Sequence, residues 1–258
     1  MNTDLSRALE YRLVRPGSIG PDDLDRMYAL MNENYDCIER DGFEADLRKK
    51  QLAGLLVDEN RVIQGFSTFS INPGGCGTLQ YNVLFSGDTI ISVGFRGTQE
   101  LVRGWCQTVG GILASDPGKP LYWLLISKGD RTYMYLPLFF RQYTPAFEES
   151  RESAALRGIA DACARKVFGD DWSPERGTLR FPESRGQMKP DLVEGTWSRK
   201  ENPHVGYFLS KNPGFAQGDE LVCLAEISPG NMRGLAKRYV QLGMESGLIL
   251  QTSEGVHV

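Results

Sequence analysis

Histidine is scarce in this chain: there are two in 258 residues, His204 and His257, far apart in sequence. A metal site built from several imidazoles is thereby excluded, and a Ser-His-Asp triad would have to be assembled around His204 alone. Cysteine is sparse as well. The five residues, Cys37, Cys76, Cys106, Cys163 and Cys223, are odd in number and never at Cys-x-x-Cys spacing. That scatter predicts reduced thiols and argues against a zinc site or a disulfide frame. No run of 18 apolar residues occurs, and the opening MNTDLSRALEYRL lacks a signal peptide's apolar region, so the expected location is the cytoplasm. A net charge of −4 and a pI near 5.4 give no global attraction for nucleic acid or an anionic membrane. The 29 Lys and Arg residues still leave room for a local basic groove.

What is present is an ordinary globular composition, 41% hydrophobic and 24% charged, long enough to bury a real core. Tyr11 to Val14 reads as a strand closed by Pro16-Gly17. Pro21-Asp22-Asp23 then opens a helix running to about Tyr35, with proline in the first turn and acids against the dipole. A second helical pattern spans Phe43 to Leu52, its Arg48-Lys49-Lys50 patch expected on a solvated face. Leu55 to Asp58 and Arg61 to Ile71 read as a hairpin, closed by Asn72-Pro73-Gly74-Gly75, and Leu79 to Phe85 and Asp88 to Val93 continue a meander. In the second half, Glu152 to Phe168 is a predicted helix. Residues 169–201 read as loops around one short strand at Thr178 to Phe181. Val205 to Leu209 and Glu220 to Ala225 read as paired strands, a last helix runs from near Asn231 to Gly243, and the tail from Gln251 reads as disordered.

The junction YNVLFSGDTIISVGFRGTQEL, residues 81–101, is a strand-like run that meets an arginine and a glycine before a helical pattern begins. A helix entered this way leaves its first amides unpaired and its positive dipole end exposed, a natural seat for a phosphate. Phe95-Arg96-Gly97-Thr98-Gln99-Glu100-Leu101 resembles the signature loop of the GNAT (Gcn5-related N-acetyltransferase) superfamily, Arg/Gln-x-x-Gly-x-Gly/Ala after the fourth strand. Gln99 and Leu101 stand where that loop carries its later small residues, so the donor loop is a degenerate one. After the predicted strand Leu121 to Ile126 and a Ser127-Lys128-Gly129-Asp130 turn, Tyr135 and Phe140 resemble the superfamily's Tyr-x-x-x-Gly-Phe pattern, with Phe139 in place of the glycine.

The resemblance covers roughly residues 10–147. It implies an α/β (α+β) fold with a mixed, mostly antiparallel sheet flanked by helices over residues 1–147. Residues 148–258 lie outside the resemblance and read as an α+β extension packed on residues 1–147 as added sheet and lid, with an independent domain as the alternative. The resemblance also implies an acyltransferase moving an acyl group from a thioester to the amine of a small molecule, without a metal. Arg96, Gly97, Thr98 and Gln99 would hold the donor's phosphates, with Ser127 and Lys128 as further donor or acceptor contacts. Asp88, flanked by apolar residues, is the candidate base, and Tyr135 the candidate acid for the departing thiolate. The degenerate loop leaves the donor open between acyl-CoA and a loaded acyl carrier protein. Two alternatives stand beside this reading: an aminoacyl-tRNA donor, disfavoured by the acidic pI, and a non-catalytic binding module on the same scaffold.

Overall fold

The computed structural model describes residues 9–76, 78–181 and 186–246. In chain order the first half contains β1 (Glu10–Val14), α1 (Pro21–Asn34), β2 (Tyr35–Asp36), α2 (Arg40–Arg48), β3 (Leu52–Val57), β4 (Ile63–Cys76), β5 (Leu79–Ile91), α3 (Glu100–Ser115), β6 (Leu121–Ser127), α4 (Asp130–Tyr133) and α5 (Tyr135–Phe139). The second half adds α6 (Arg151–Phe168), β7 (Trp172–Ser173), β8 (Thr178–Leu179), β9 (Gln187–Met188), α7 (Pro190–Ser198), α8 (Pro203–Lys211), β10 (Glu220–Ile227) and α9 (Gly234–Glu245). Eight strands form one sheet in the order β1-β3-β4-β5-β6-β10-β8-β7, and β2 pairs with β9 apart from it. Every neighbouring pair in the large sheet is antiparallel except β5 with β6, which α3 connects. The mixed, mostly antiparallel sheet expected from the sequence is therefore present.

Alternation along the strands sends side chains to two cores. Ala53, Leu55, Phe66 and Ile90 meet α1 and α2 on one face, where Val83, Leu124 and Val222 also meet α6. Leu84, Trp123, Leu125 and Cys223 point to the other face, among α3, α5, α8 and α9. Helices α3 and α9 approach closely because Gly110 and Gly243 sit at the crossing, where a Cβ would strike the partner backbone. Strand β10 pairs with β6 and with β8, so the second half extends the sheet built by the first.

Several local expectations are corrected. Val205 to Leu209 is helical, part of α8, and not a strand: Asn202 accepts hydrogen bonds from the His204 and Val205 amides, and Pro203 occupies the first turn. Val205, Phe208 and Leu209 fall on one helical stripe and are buried. Residues 169–201 are also more ordered than expected, since α7 starts at Pro190 and β9 pairs with β2. Asn72 to Gly75 do not turn the chain. They continue β4, with Gly74 opposite Tyr81, whose ring occupies the space a Cβ would need. β5 is one strand carrying a bulge, α3 begins at Glu100 and not at Gly97, and α9 begins at Gly234. Lys50, expected on a solvated face, is buried. His257 and the tail from Gln251 lie outside the described residues.

Candidate functional site: a cleft between two parting strands

Strands β5 and β6 pair only from Asn82 with Leu121 to Phe85 with Leu124. Beyond that point β5 continues to Ile91 and β6 to Ser127 without pairing to each other, although β6 stays paired with β10 as far as Ser127 opposite Leu221. The cause lies in β5. Its register with β4 shifts so that Gly87 and Asp88 together oppose Thr68, a bulge that bends the strand just after its last pair with β6. Gly87 suits this place because a Cβ there would stand 2.7 Å from Thr68 Oγ1 and 3.1 Å from Lys50 Nζ. The buried Lys50 ammonium is 2.8 Å from Asp46 and 4.8 Å from the centre of the Phe85 ring.

The parting opens a cleft of about 470 Å3. One wall is Thr89, Ile90, Ile91, Arg96 and Gly97, and the facing wall is Gly129 to Thr132 with Tyr135. Asn34 and Tyr35 close one end, and the second half of the chain adds Met188, Leu192, Thr196 and Arg199. At Thr89, Thr132 and Tyr135 the cleft borders an apolar pit of about 30 Å3, formed by Leu101, Val102, Trp105, Trp123 and Phe139 among others. Trp123 is fixed there: its indole N–H donates to Ser86 Oγ at 2.6 Å and its ring lies 4.7 Å from that of Trp105.

Of the four loop residues expected to hold the donor, Arg96 and Gly97 line the first wall, and Thr98 and Gln99 do not line the cleft. Arg96 donates to Asn34 Oδ1 at 2.8 Å, which sets its guanidinium at the cleft. Gly97 has φ +94° with nothing within 4 Å of a hypothetical Cβ, so glycine answers here to backbone conformation and not to crowding. Thr98 Oγ1 accepts from the Glu100 amide at 3.3 Å, capping the start of α3. Gln99, the residue before α3, is exposed and its side chain makes no capping bond, while Leu101 is buried in the wall of the apolar pit.

Of the other expected site residues, Tyr135 lines both cleft and pit, and burial, with a smaller contribution from Cys106, raises its hydroxyl above the usual tyrosine range. Asp88, Ser127 and Lys128 do not line the cleft. Ser127 is buried and donates to the Gly129 carbonyl at 2.8 Å. Lys128 donates to the Gly186 carbonyl at 2.9 Å, lies 3.4 Å from the Glu220 carboxylate and sits over the Tyr35 ring. Asp88 stands beside this group. Desolvation raises its carboxyl to about 6, with Asp46 and Glu220 adding to the rise and Lys50 and Lys128 opposing it. No hydrogen-bond donor reaches that carboxylate among the described residues. The Tyr35 hydroxyl is raised chiefly by burial, then by the negative charges of Glu220 and Asp88. Tyr35 thus separates the cleft it lines from the ionised cluster around Asp88.

Sequence reasoning missed Asn34, Tyr35, Arg131 and Arg199. Arg199 donates to both oxygens of the buried Asp130, at 2.8 and 2.9 Å, across 69 positions of sequence, and no local pattern announces such a pairing. Among the described residues no helix is long and apolar enough to cross a membrane, and no group of three or more His, Cys, Asp or Glu residues could hold a metal ion.

No family model matches the sequence, and no curated protein matches it. Solved structures do match over about half of the chain. A conserved protein of unknown function from Enterococcus faecalis V583 has 13% identity and a TM-score of 0.38, the match covering 53% of this chain and 33% of that longer one. The GNAT family N-acetyltransferase YhbS of Escherichia coli, solved with CoA, has 19% identity and a TM-score of 0.34, covering 50% of this chain and 67% of its own. NAA60 of Arabidopsis thaliana, solved with a bisubstrate analogue, has 15% identity and a TM-score of 0.38, covering 53% and 86% respectively. Likenesses of this size carry nothing about the chemistry of the present cleft, which rests on its own residues.

Proposed function

We propose that this protein is an acyltransferase that moves an acyl group from a thioester to the amine of a small molecule, with the donor lying between β5 and β6. One observation carries the reading: the sheet parts beside the Arg96–Gly97 turn, and Tyr135 stands on the opposite wall. In the superfamily that the loop resembles, the donor's pantetheine arm runs between the corresponding strands and its pyrophosphate sits on the loop. The donor is acyl-CoA or the thioester of a carrier protein. Arg96, the Gly97 turn and the first amides of α3 would meet its phosphates. Residues 1–147 would carry the donor site and residues 148–258 would act as sheet extension and lid, contributing Met188, Leu192, Thr196 and Arg199.

In the transfer, the amine nitrogen attacks the thioester carbonyl carbon, the C–S bond breaks, and the amine proton and the thiolate must both be served. Tyr135, which lines the cleft with its hydroxyl raised above the usual tyrosine range and so protonated at neutral pH, would give a proton to the sulfur. Asp88, ionised above about pH 6, lies one residue along β5 from Thr89 but behind Tyr35 and outside the cleft, so as the base it would take the amine proton through a bridging water. The test is turnover and calorimetric binding with acetyl-CoA, longer acyl-CoAs and a loaded carrier protein. At least one donor is expected to bind and turn over, with kcat reduced roughly 100-fold in Tyr135→Phe. Failure of every donor to bind would remove the reading.

A further inference from the structure

The cleft is basic although the chain as a whole carries a net charge of −4. Three guanidiniums line it, from Arg96, Arg131 and Arg199, and its sole carboxylate among the described residues is Asp130. That carboxylate is already committed. Asp130 is buried, accepts from Thr196 Oγ1 at 2.8 Å and takes a two-pronged bond from Nε and Nη2 of Arg199. Arg199 is therefore neutralised and fixed, while Arg96 is held only by the uncharged Asn34 and Arg131 has no carboxylate partner among the described residues. Two uncompensated positive charges thus face the cleft from opposite walls, Arg96 on the loop after β5 and Arg131 in α4 after β6. A phosphate-bearing donor seated on the Arg96–Gly97 loop meets the first of them, and Arg131 stands across the cleft from that loop. The second calls for an anionic group on the other ligand, since a guanidinium beside a half-enclosed cleft is a strong partner for a carboxylate.

Resting on the acyltransfer reading, we infer that the acceptor is an amino acid, an amine that also carries a carboxylate, and that Arg131 holds that carboxylate. Turnover with acetyl-CoA, a longer acyl-CoA and a loaded carrier protein is measured against a panel of small, acidic, basic and aromatic amino acids, each paired with its amide. Binding of the matching N-acetyl-amino acids and N-acetyl-amino acid amides is measured by calorimetry, which needs no donor. The wild-type protein is expected to prefer at least one amino acid to its amide by about tenfold or more, as loss of one charge-assisted hydrogen bond implies. Arg131→Gln is expected to erase that preference by raising KM for the acid and not for the amide, with Arg131→Lys restoring part of it. Equal use and equal binding of acids and amides would overturn the proposal. So would a rise in the KM of the donor in place of that of the amino acid, which would assign Arg131 to the donor's phosphates. If no donor is turned over yet an N-acetyl-amino acid binds in an Arg131-dependent way, the carboxylate site stands and acyl transfer falls. If neither occurs, both fall.

Discussion

The two edges of β6 behave differently. Toward β10 the strand is paired along its whole length, from Leu121 opposite Ile227 to Ser127 opposite Leu221. Toward β5 it is paired for only its first four residues, and the remaining edge faces the cleft. Both edges belong to one apolar strand, so the sequence of β6 itself does not decide which side opens. The neighbour decides. β10 pairs with β6 without a register shift and is buried nearly throughout, whereas β5 carries the Gly87–Asp88 bulge and a buried lysine seated against it. An unpaired strand edge facing a cleft is a feature a protein fills with a ligand or covers, which is why the open edge reads as a site.

The comparison can be broken in four ways, in order of falling effect on stability. Leu124 lies at the last β5–β6 pair with its side chain fully buried, and Leu124→Ala should cost about 3 kcal/mol in chemical denaturation, as core truncations do. Gly87→Val forces a Cβ and two methyls against Thr68 and Lys50 at the bulge. A loss of about 2 kcal/mol is expected, together with weaker donor binding, if the bulge is what holds the strands apart. Donor affinity that survives Gly87→Val unchanged would separate the cleft from the bulge.

Asp88→Asn acts in the other direction and only at higher pH. Burial raises the Asp88 carboxyl from its ordinary 3.8 to about 6, so its contribution to stability is intact at low pH and is lost as pH rises through about 6. The variant should match the wild type near pH 4 and exceed it by on the order of 2 kcal/mol above pH 7. In turnover, the same substitution should remove the rise in rate through pH 6 expected of a base. A wild-type rate that is flat between pH 5 and 8 would take Asp88 out of the chemistry. Tyr135→Phe should shift stability by less than about 1 kcal/mol, since its hydroxyl has no hydrogen bond among the described residues, while lowering turnover far more.

Much of the open edge was legible in the sequence, because it depends on local signals. Arg96, a glycine free to take positive φ and a helix starting three residues later are contiguous, and Tyr135 follows β6 at close range. The closed edge and the roof were harder to read. α8 presents the apolar run Val205 to Leu209, which fits a short buried strand as well as a helix, and only the cap at Asn202-Pro203 decides between them. Arg199 and Asp130 meet across the fold, and Lys50 is buried by a bulge in another strand, so neither fact has a signature in its own neighbourhood. The apolar neighbours of Asp88 predict a desolvated carboxyl, which is raised, yet the pleat sends it away from the face that Tyr135 lines. Alternation around a bulge cannot be counted before the bulge is located.

The central claim is that the gap between β5 and β6 holds a thioester donor. Calorimetric titration of the full chain with acetyl-CoA, a longer acyl-CoA and a loaded carrier protein, repeated with Arg96→Ala, tests it most directly. The account predicts saturable binding of at least one donor at one site per chain, weakened about tenfold or more without the Arg96 guanidinium. No binding of any donor, or binding that is indifferent to Arg96, would contradict it.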